Sequence, residues 1–336
     1  MPQSLLMNIF IIPLLIISPI ISISLNSWFL IWMTLEMNLM TFIPFMIFIN
    51  KFYKNLALKY FIIQAFSSSI LIFCSNLQMI NLFFNLINIS IIMNISILIK
   101  MGAAPFHSWY VNIMSNMNWL NCLILSTWQK IIPMIILMYI YNYKIILISA
   151  ILSSIFGSLY GLNHQSIRII LSYSSINHIS WLLINLMISE NLLILYFISY
   201  SFINFSIMMI FHMMNIFYLN QLFISKNPLI LKFIILMNFF SISGLPPMFG
   251  FLMKWLSLNF MTLNKLNIII FIMIFMSIFS FIFYMRINLT FLIQFNSTYK
   301  SYNFNKMLFS NKFINPLKIL LFNSFFNIWM LSIWFI

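Results

Sequence analysis

Four charged side chains stand where the surrounding residues offer little to solvate them. Glu36, in Trp32-Met33-Thr34-Leu35-Glu36-Met37-Asn38, lies about ten residues into an apolar run. Lys130 closes Thr127-Trp128-Gln129-Lys130, about halfway along another. Lys100 opens Lys100-Met101-Gly102-Ala103-Ala104-Pro105-Phe106-His107, and Lys254 follows Gly244-Leu245-Pro246-Pro247-Met248-Phe249-Gly250. A charge at mid-membrane depth costs at least about 2.5–3.5 kcal/mol, and such groups mark ion or proton pathways. One acid and three lysines, each able to gain and lose a proton, suit proton translocation.

The histidines add less. His178, in Ser174-Ser175-Ile176-Asn177-His178, sits mid-span in a polar run and is a candidate for lining a proton path, as is His107. For His107, His164 and His212 an interfacial or hydrogen-bonded structural role competes with that reading. None of them has the carboxylates or cysteines nearby that a metal site needs, so no metal is expected. Cys74 and Cys122 lie far apart in apolar runs and read as small buried hydrophobes. No dinucleotide fingerprint, phosphate loop or cluster-binding cysteine set occurs, so catalytic redox residues are expected to be absent. The chain should move protons or ions, or bind a partner, without carrying electrons.

The composition sets the medium in which these groups work. Of 336 residues, 63% are hydrophobic and 5% charged, and the mean hydropathy is +1.06. A soluble domain would carry about a quarter charged residues, so most of this chain must face lipid. The net charge of +14 is scattered singly between apolar runs rather than clustered as nucleic-acid binding requires. Glu36 and Glu190 are the only acids. Residues with A+T-rich codons are favoured throughout, which points to a very A+T-rich coding genome, such as that of an animal mitochondrion.

A spanning helix needs roughly 20 apolar residues. By that measure the sequence predicts an all-α polytopic membrane protein of about eleven spans, near 8–24, 27–48, 56–78, 84–104, 119–141, 145–162, 167–188, 191–218, 229–261, 267–293 and 317–336. The fourth and ninth contain breaks, at Gly102 and Pro105 and at Gly244, Pro246 and Pro247. If the fourth helix ends near Met101, Lys100 can snorkel to an interface; if it continues as a broken helix through Phe106 to Met114, Lys100 lies deep. Interruptions at corresponding places in two halves are a sign of inverted transport repeats. The expected organisation is a first five-helix repeat over 1–142, a second over 143–294, and a polar loop with a final helix over 295–336. Lys51, Lys54, Arg168, Lys226, Lys300, Lys306 and Lys312 fall on one side and Lys144 and Lys265 on the other. The positive-inside rule therefore places the amino terminus in the matrix or cytoplasm and the carboxyl terminus outside.

These strings, in this order and with Lys254-Trp255, resemble the subunit 2 family of mitochondrial NADH:ubiquinone oxidoreductase, respiratory complex I. The likeness runs from about Ser27 to Trp255 and continues beyond mainly as hydropathy. It implies an antiporter-like fold of two inverted five-helix repeats, eleven helices in animal forms, in the mitochondrial inner membrane. It implies that Glu36 and Lys100 form the acid–lysine pair of a first half-channel, that Lys130 connects the halves, and that Lys254 serves the second. The same resemblance places FMN, iron–sulfur clusters, NADH and ubiquinone in other parts of the complex, with no cofactor in this chain. It implies subunit 4 and subunit 4L as neighbours and bound lipids including cardiolipin. Cation/proton antiporter subunits share the fold and the buried lysines, and a scaffold whose lysines pair only with neighbouring subunits is the structural alternative.

Overall fold

Lipid offers no hydrogen-bond partners, so a spanning chain must satisfy its backbone internally, which a helix does within one segment. The computed structural model describes residues 10–49, 51–80, 86–224, 229–246 and 248–298. Within them the chain is helical, with one isolated antiparallel bridge between Ser166 and Tyr218. The helices are α1 (Ile12–Ser24), α2 (Trp28–Ile49), α3 (Lys54–Ile80), α4 (Leu86–Met101), α5 (Ser108–Asn116), α6 (Trp119–Ser126) and α7 (Ile131–Tyr139). They continue as α8 (Tyr143–Leu159), α9 (Ile167–Ile188), α10 (Glu190–Met214), α11 (Leu219–Ile224), α12 (Leu229–Ser243), α13 (Phe249–Leu263) and α14 (Asn267–Thr298). Hydroxyls obey the same rule as the backbone. Thr34, Thr41, Ser67, Ser174 and Ser257 each donate to the carbonyl three residues earlier, so an apolar helix can hold them without requiring a partner on another helix.

Among the described residues seven helical segments are long and apolar enough to cross a membrane, and Ile12–Ser24, Ile89–Met101 and Lys232–Ser243 are shorter apolar helices. Ten of the eleven expected spans thus have a helix, and the last two of the short ones are the halves before the two expected breaks. The eleventh, near 317–336, lies outside the described residues, as do Pro247 and the lysines at 226, 300, 306 and 312.

The chain divides into two compact units, one of residues up to 117 with 124–153, the other of 118–123 with the chain from 154 on. In the first, α2 packs between α1 and α3, and α3 packs against α4 and α5. In the second, α9 is the most deeply buried span and packs on α10 and α13, while α14 packs on α12. α14 turns Phe271, Phe275, Ile278 and Ile282 outward, as a lipid-facing helix should. α8 touches α9 backbone to backbone: a Cβ on Gly157 would lie 2.6 Å from the Asn177 nitrogen.

The fifth span holds a feature the sequence reading did not anticipate. α6 stops at Ser126, residues Trp128–Lys130 form a single 3₁₀ turn, and α7 begins at Ile131. Pro133 supplies the reason. It has no N–H for the Gln129 carbonyl four residues earlier, and its ring crowds that carbonyl. A third interruption therefore falls on Lys130 itself.

Candidate functional site

The two glycine breaks are built alike. At the end of α4, Gly102 takes the left-handed conformation (φ +70°), its N–H donates to the Ile99 carbonyl at 3.1 Å, and the Ala103 N–H to that of Leu98 at 3.1 Å. At the end of α12, Gly244 has φ +82°; its N–H donates to the Ser241 carbonyl at 3.2 Å and the Leu245 N–H to that of Phe240 at 3.2 Å. Both are Schellman endings with glycine at the position that disfavours a Cβ. Each helix stops, the chain crosses a short turn, and a second helix follows: α5 after Gly102–His107, and α13 after Gly244–Met248. Pro105 and Pro246 lie in those turns.

The first break buries Lys100. It lies in the last turn of α4 and is 6% exposed, so it does not snorkel. The Gln64 amide donates to its backbone carbonyl at 3.3 Å, and the Trp109 indole donates to the carbonyl of Ile99 at 3.0 Å. The first bond satisfies a carbonyl that the end of α4 leaves without a helical donor, and the second adds to the one that Ile99 accepts from Gly102. Glu36 is half-buried on α2, and its charge acts on the Lys100 ammonium. Lys130, 2% exposed, extends from the 3₁₀ turn with its Nζ 4.9 Å from the Tyr110 ring centre.

Lys100 and Lys130 line one cavity of about 20 Å³, together with Asn38, Tyr60, Gln64, Tyr110 and Gln129. That is room for about one water. Its polar wall is already organised. The Asn38 amide donates to Gln129 Oε1 at 2.9 Å, Gln129 Nε2 donates back to Asn38 Oδ1 at 3.1 Å, and the Tyr60 hydroxyl donates to Gln129 Oε1 at 3.2 Å.

In the second unit Lys254, 8% exposed, reaches back from α13 to the end of α12. Its Nζ donates to the Ile242 carbonyl at 3.1 Å and the Ser243 carbonyl at 2.9 Å. An ammonium there meets both the orphan carbonyls and the negative end of the helix dipole. His178 is buried on α9, with Nδ1 2.9 Å from the Tyr196 hydroxyl and its ring 4.9 Å from that of Tyr200. His107 is half-buried and begins α5 through its carbonyl, which accepts from Tyr110 and Val111. His164 stacks on Tyr173 and His212 is exposed.

The family model described as "NADH:quinone oxidoreductase/Mrp antiporter, TM" matches residues 25–282. The chain belongs to that family. A relative named NADH-ubiquinone oxidoreductase chain 2, from Anopheles gambiae, is 41% identical over 90% of this chain and 92% of its own length. One of the same name from Aedes aegypti is 40% identical over 92% and 90%. Respiratory complex I from Thermus thermophilus contains a chain of the same fold, with a TM-score of 0.76 at 18% identity, covering 84% of this chain and 69% of that one.

Within this antiporter fold several residues join the site that sequence reasoning passed over. Asn38 and Gln129 stood inside the quoted motifs, yet only the fold brings them together. Tyr60, Gln64 and Tyr110 carried no signal beyond being polar or aromatic in apolar runs. Lys232, fourth in its span and not singled out from the sequence, is 2% exposed on α12. Arg286 of α14 donates to the carbonyls of Leu162 and His164 at 2.7 and 2.5 Å. It holds the turn between α8 and α9.

Proposed function

We propose that this chain is a membrane-arm subunit of proton-translocating NADH:ubiquinone oxidoreductase and that its Glu36, Lys100, Lys130 and Lys254 take part in moving the protons. Electron transfer from NADH to ubiquinone, with FMN and the iron–sulfur clusters, belongs to other subunits, and this chain carries no redox centre. It resides in the mitochondrial inner membrane with its amino terminus toward the matrix and its carboxyl terminus toward the intermembrane space. Its neighbours are subunit 4 and subunit 4L, with lipids including cardiolipin around them.

The cavity shared by Lys100 and Lys130 carries this reading. Two basic side chains are brought to one small polar space, with the charge of Glu36 acting on Lys100. Two like charges held at one small buried space oppose each other at a cost, and a scaffold has no use for that arrangement. A proton relay requires it: ammonium groups that can release a proton, a water to bridge them, and a carboxylate whose approach or withdrawal biases the exchange. His178 and His107 are secondary candidates for the same path. A structure of the intact complex that resolves water tests the reading. It should show ordered water in the cavity in hydrogen-bond contact with Lys100 or Lys130; a dry cavity overturns it.

A further inference from the structure

A second cavity opens on the outer surface of the first unit, where α3 meets α5. It has a volume of about 330 Å³ and is lined by Lys59, Ile62, Ile63, Ser108, Trp109, Asn112 and Ile113. That is within the range of about 300–1,000 Å³ typical of small-molecule sites. Its chemistry is graded. Ile62, Ile63, Ile113 and the Trp109 ring form an apolar bed, while Lys59, Ser108 and Asn112 are exposed polar groups. No carboxylate lines it to neutralise Lys59.

We propose that this groove binds an anionic phospholipid, its phosphate on the Lys59 ammonium and its acyl chain along Ile62, Ile63 and Ile113. The position of Lys59 fits. It lies five residues inside the start of α3 at Lys54, about 7.5 Å along the axis, from where a lysine stem carries its charge to headgroup depth. Charge complementarity selects the occupant. The chain has 16 basic residues against two acids, and an exposed lysine at the membrane surface attracts anionic lipid by about 1 kcal/mol. A neutral lipid would leave Lys59 unmatched.

The groove has a consequence for the proton site behind it. Trp109 lines both spaces, its ring 6.0 Å from that of Tyr60, and its indole holds the Ile99 carbonyl beside Lys100. A lipid packed on the outer face of Trp109 seals the Lys100 cavity from the bilayer side. The binding inference rests on the membrane-spanning fold alone and stands or falls apart from the proton reading.

The test uses the intact complex in phosphatidylcholine vesicles containing either a photoactivatable anionic phospholipid or its zwitterionic analogue. Crosslinks are mapped to peptides covering residues 59–63 and 108–113. The anionic probe should label both segments about five-fold more than the zwitterionic one, the factor that about 1 kcal/mol represents. Lys59→Gln should abolish that preference in complexes with normal electron transfer, and Lys59→Arg should keep it. Equal labelling by both probes overturns the proposal, as does Lys59→Gln retaining the preference. So does an unlabelled groove whose residues crosslink instead to a neighbouring subunit.

Discussion

The side-chain amides of Asn38 and Gln129 exchange two hydrogen bonds, of 2.9 and 3.1 Å, across 91 residues of sequence. Asn38 follows Glu36 by two residues and Gln129 precedes Lys130 by one, so this pair ties the acid-bearing helix to the turn that carries the central lysine. Tyr60 adds a third bond to the same Gln129 oxygen. The lysine turn cannot shift without breaking bonds to α2 and α3.

Truncating one amide should therefore cost more than truncating both. Asn38→Leu or Gln129→Leu alone leaves a partner unsatisfied and should destabilise the membrane arm by about 1–3 kcal/mol. The double variant replaces the pair with apolar groups and should recover part of that loss. Thermal denaturation of the assembled complex measures the cycle; strictly additive losses would show that the pair is not coupled.

At the second break, Gly244→Ala should be damaging for two separate reasons. The backbone there is left-handed, at φ +82°, and the new Cβ would lie 3.0 Å from Lys254 Cδ and Nζ. Strain of roughly 1–2 kcal/mol comes from the backbone, and the lysine end must give way beside the Ile242 and Ser243 carbonyls that it holds. Pumping should fall even where the complex assembles. The check is proton flux per electron in reconstituted vesicles, and an unchanged ratio would mean that Lys254 need not hold that helix end.

Pro133→Ala should straighten the fifth span. Restoring an N–H at 133 gives the Gln129 carbonyl its helical donor, so the 3₁₀ turn at Trp128–Lys130 should relax toward continuous helix and rotate Lys130 relative to the cavity. A structure of the variant would show this directly. If the turn persists unchanged, tertiary bonds rather than Pro133 set it.

Much of this architecture was legible because lipid imposes simple rules. Ten expected spans have helices, and both glycine breaks fall where Gly102 and Gly244 announced them. The depth of Lys100 depended on whether a helix ended or resumed, and α5 resumes it. The third break carried a readable signal, Pro133 four residues after Gln129, that apolar run length alone concealed. The amide pair was not legible, since nothing local in Asn38 specifies a partner 91 residues away. Lys232 and Arg286 were obscured differently. A lysine near a span end ordinarily reaches the interface, and Arg286 finds its carbonyls only once the α8–α9 turn is folded.

The central claim is that protons pass by way of the buried lysines of this chain, and Lys130 is its most exacting test. Lys130→Met keeps the stem and removes the charge from a side chain that is 2% exposed. The decisive measurement is the number of protons translocated per electron pair by the assembled complex carrying this substitution, with NADH oxidation followed in parallel. The account predicts that assembly persists while pumping, or the electron transfer coupled to it, falls severely. Full pumping at normal turnover would contradict it.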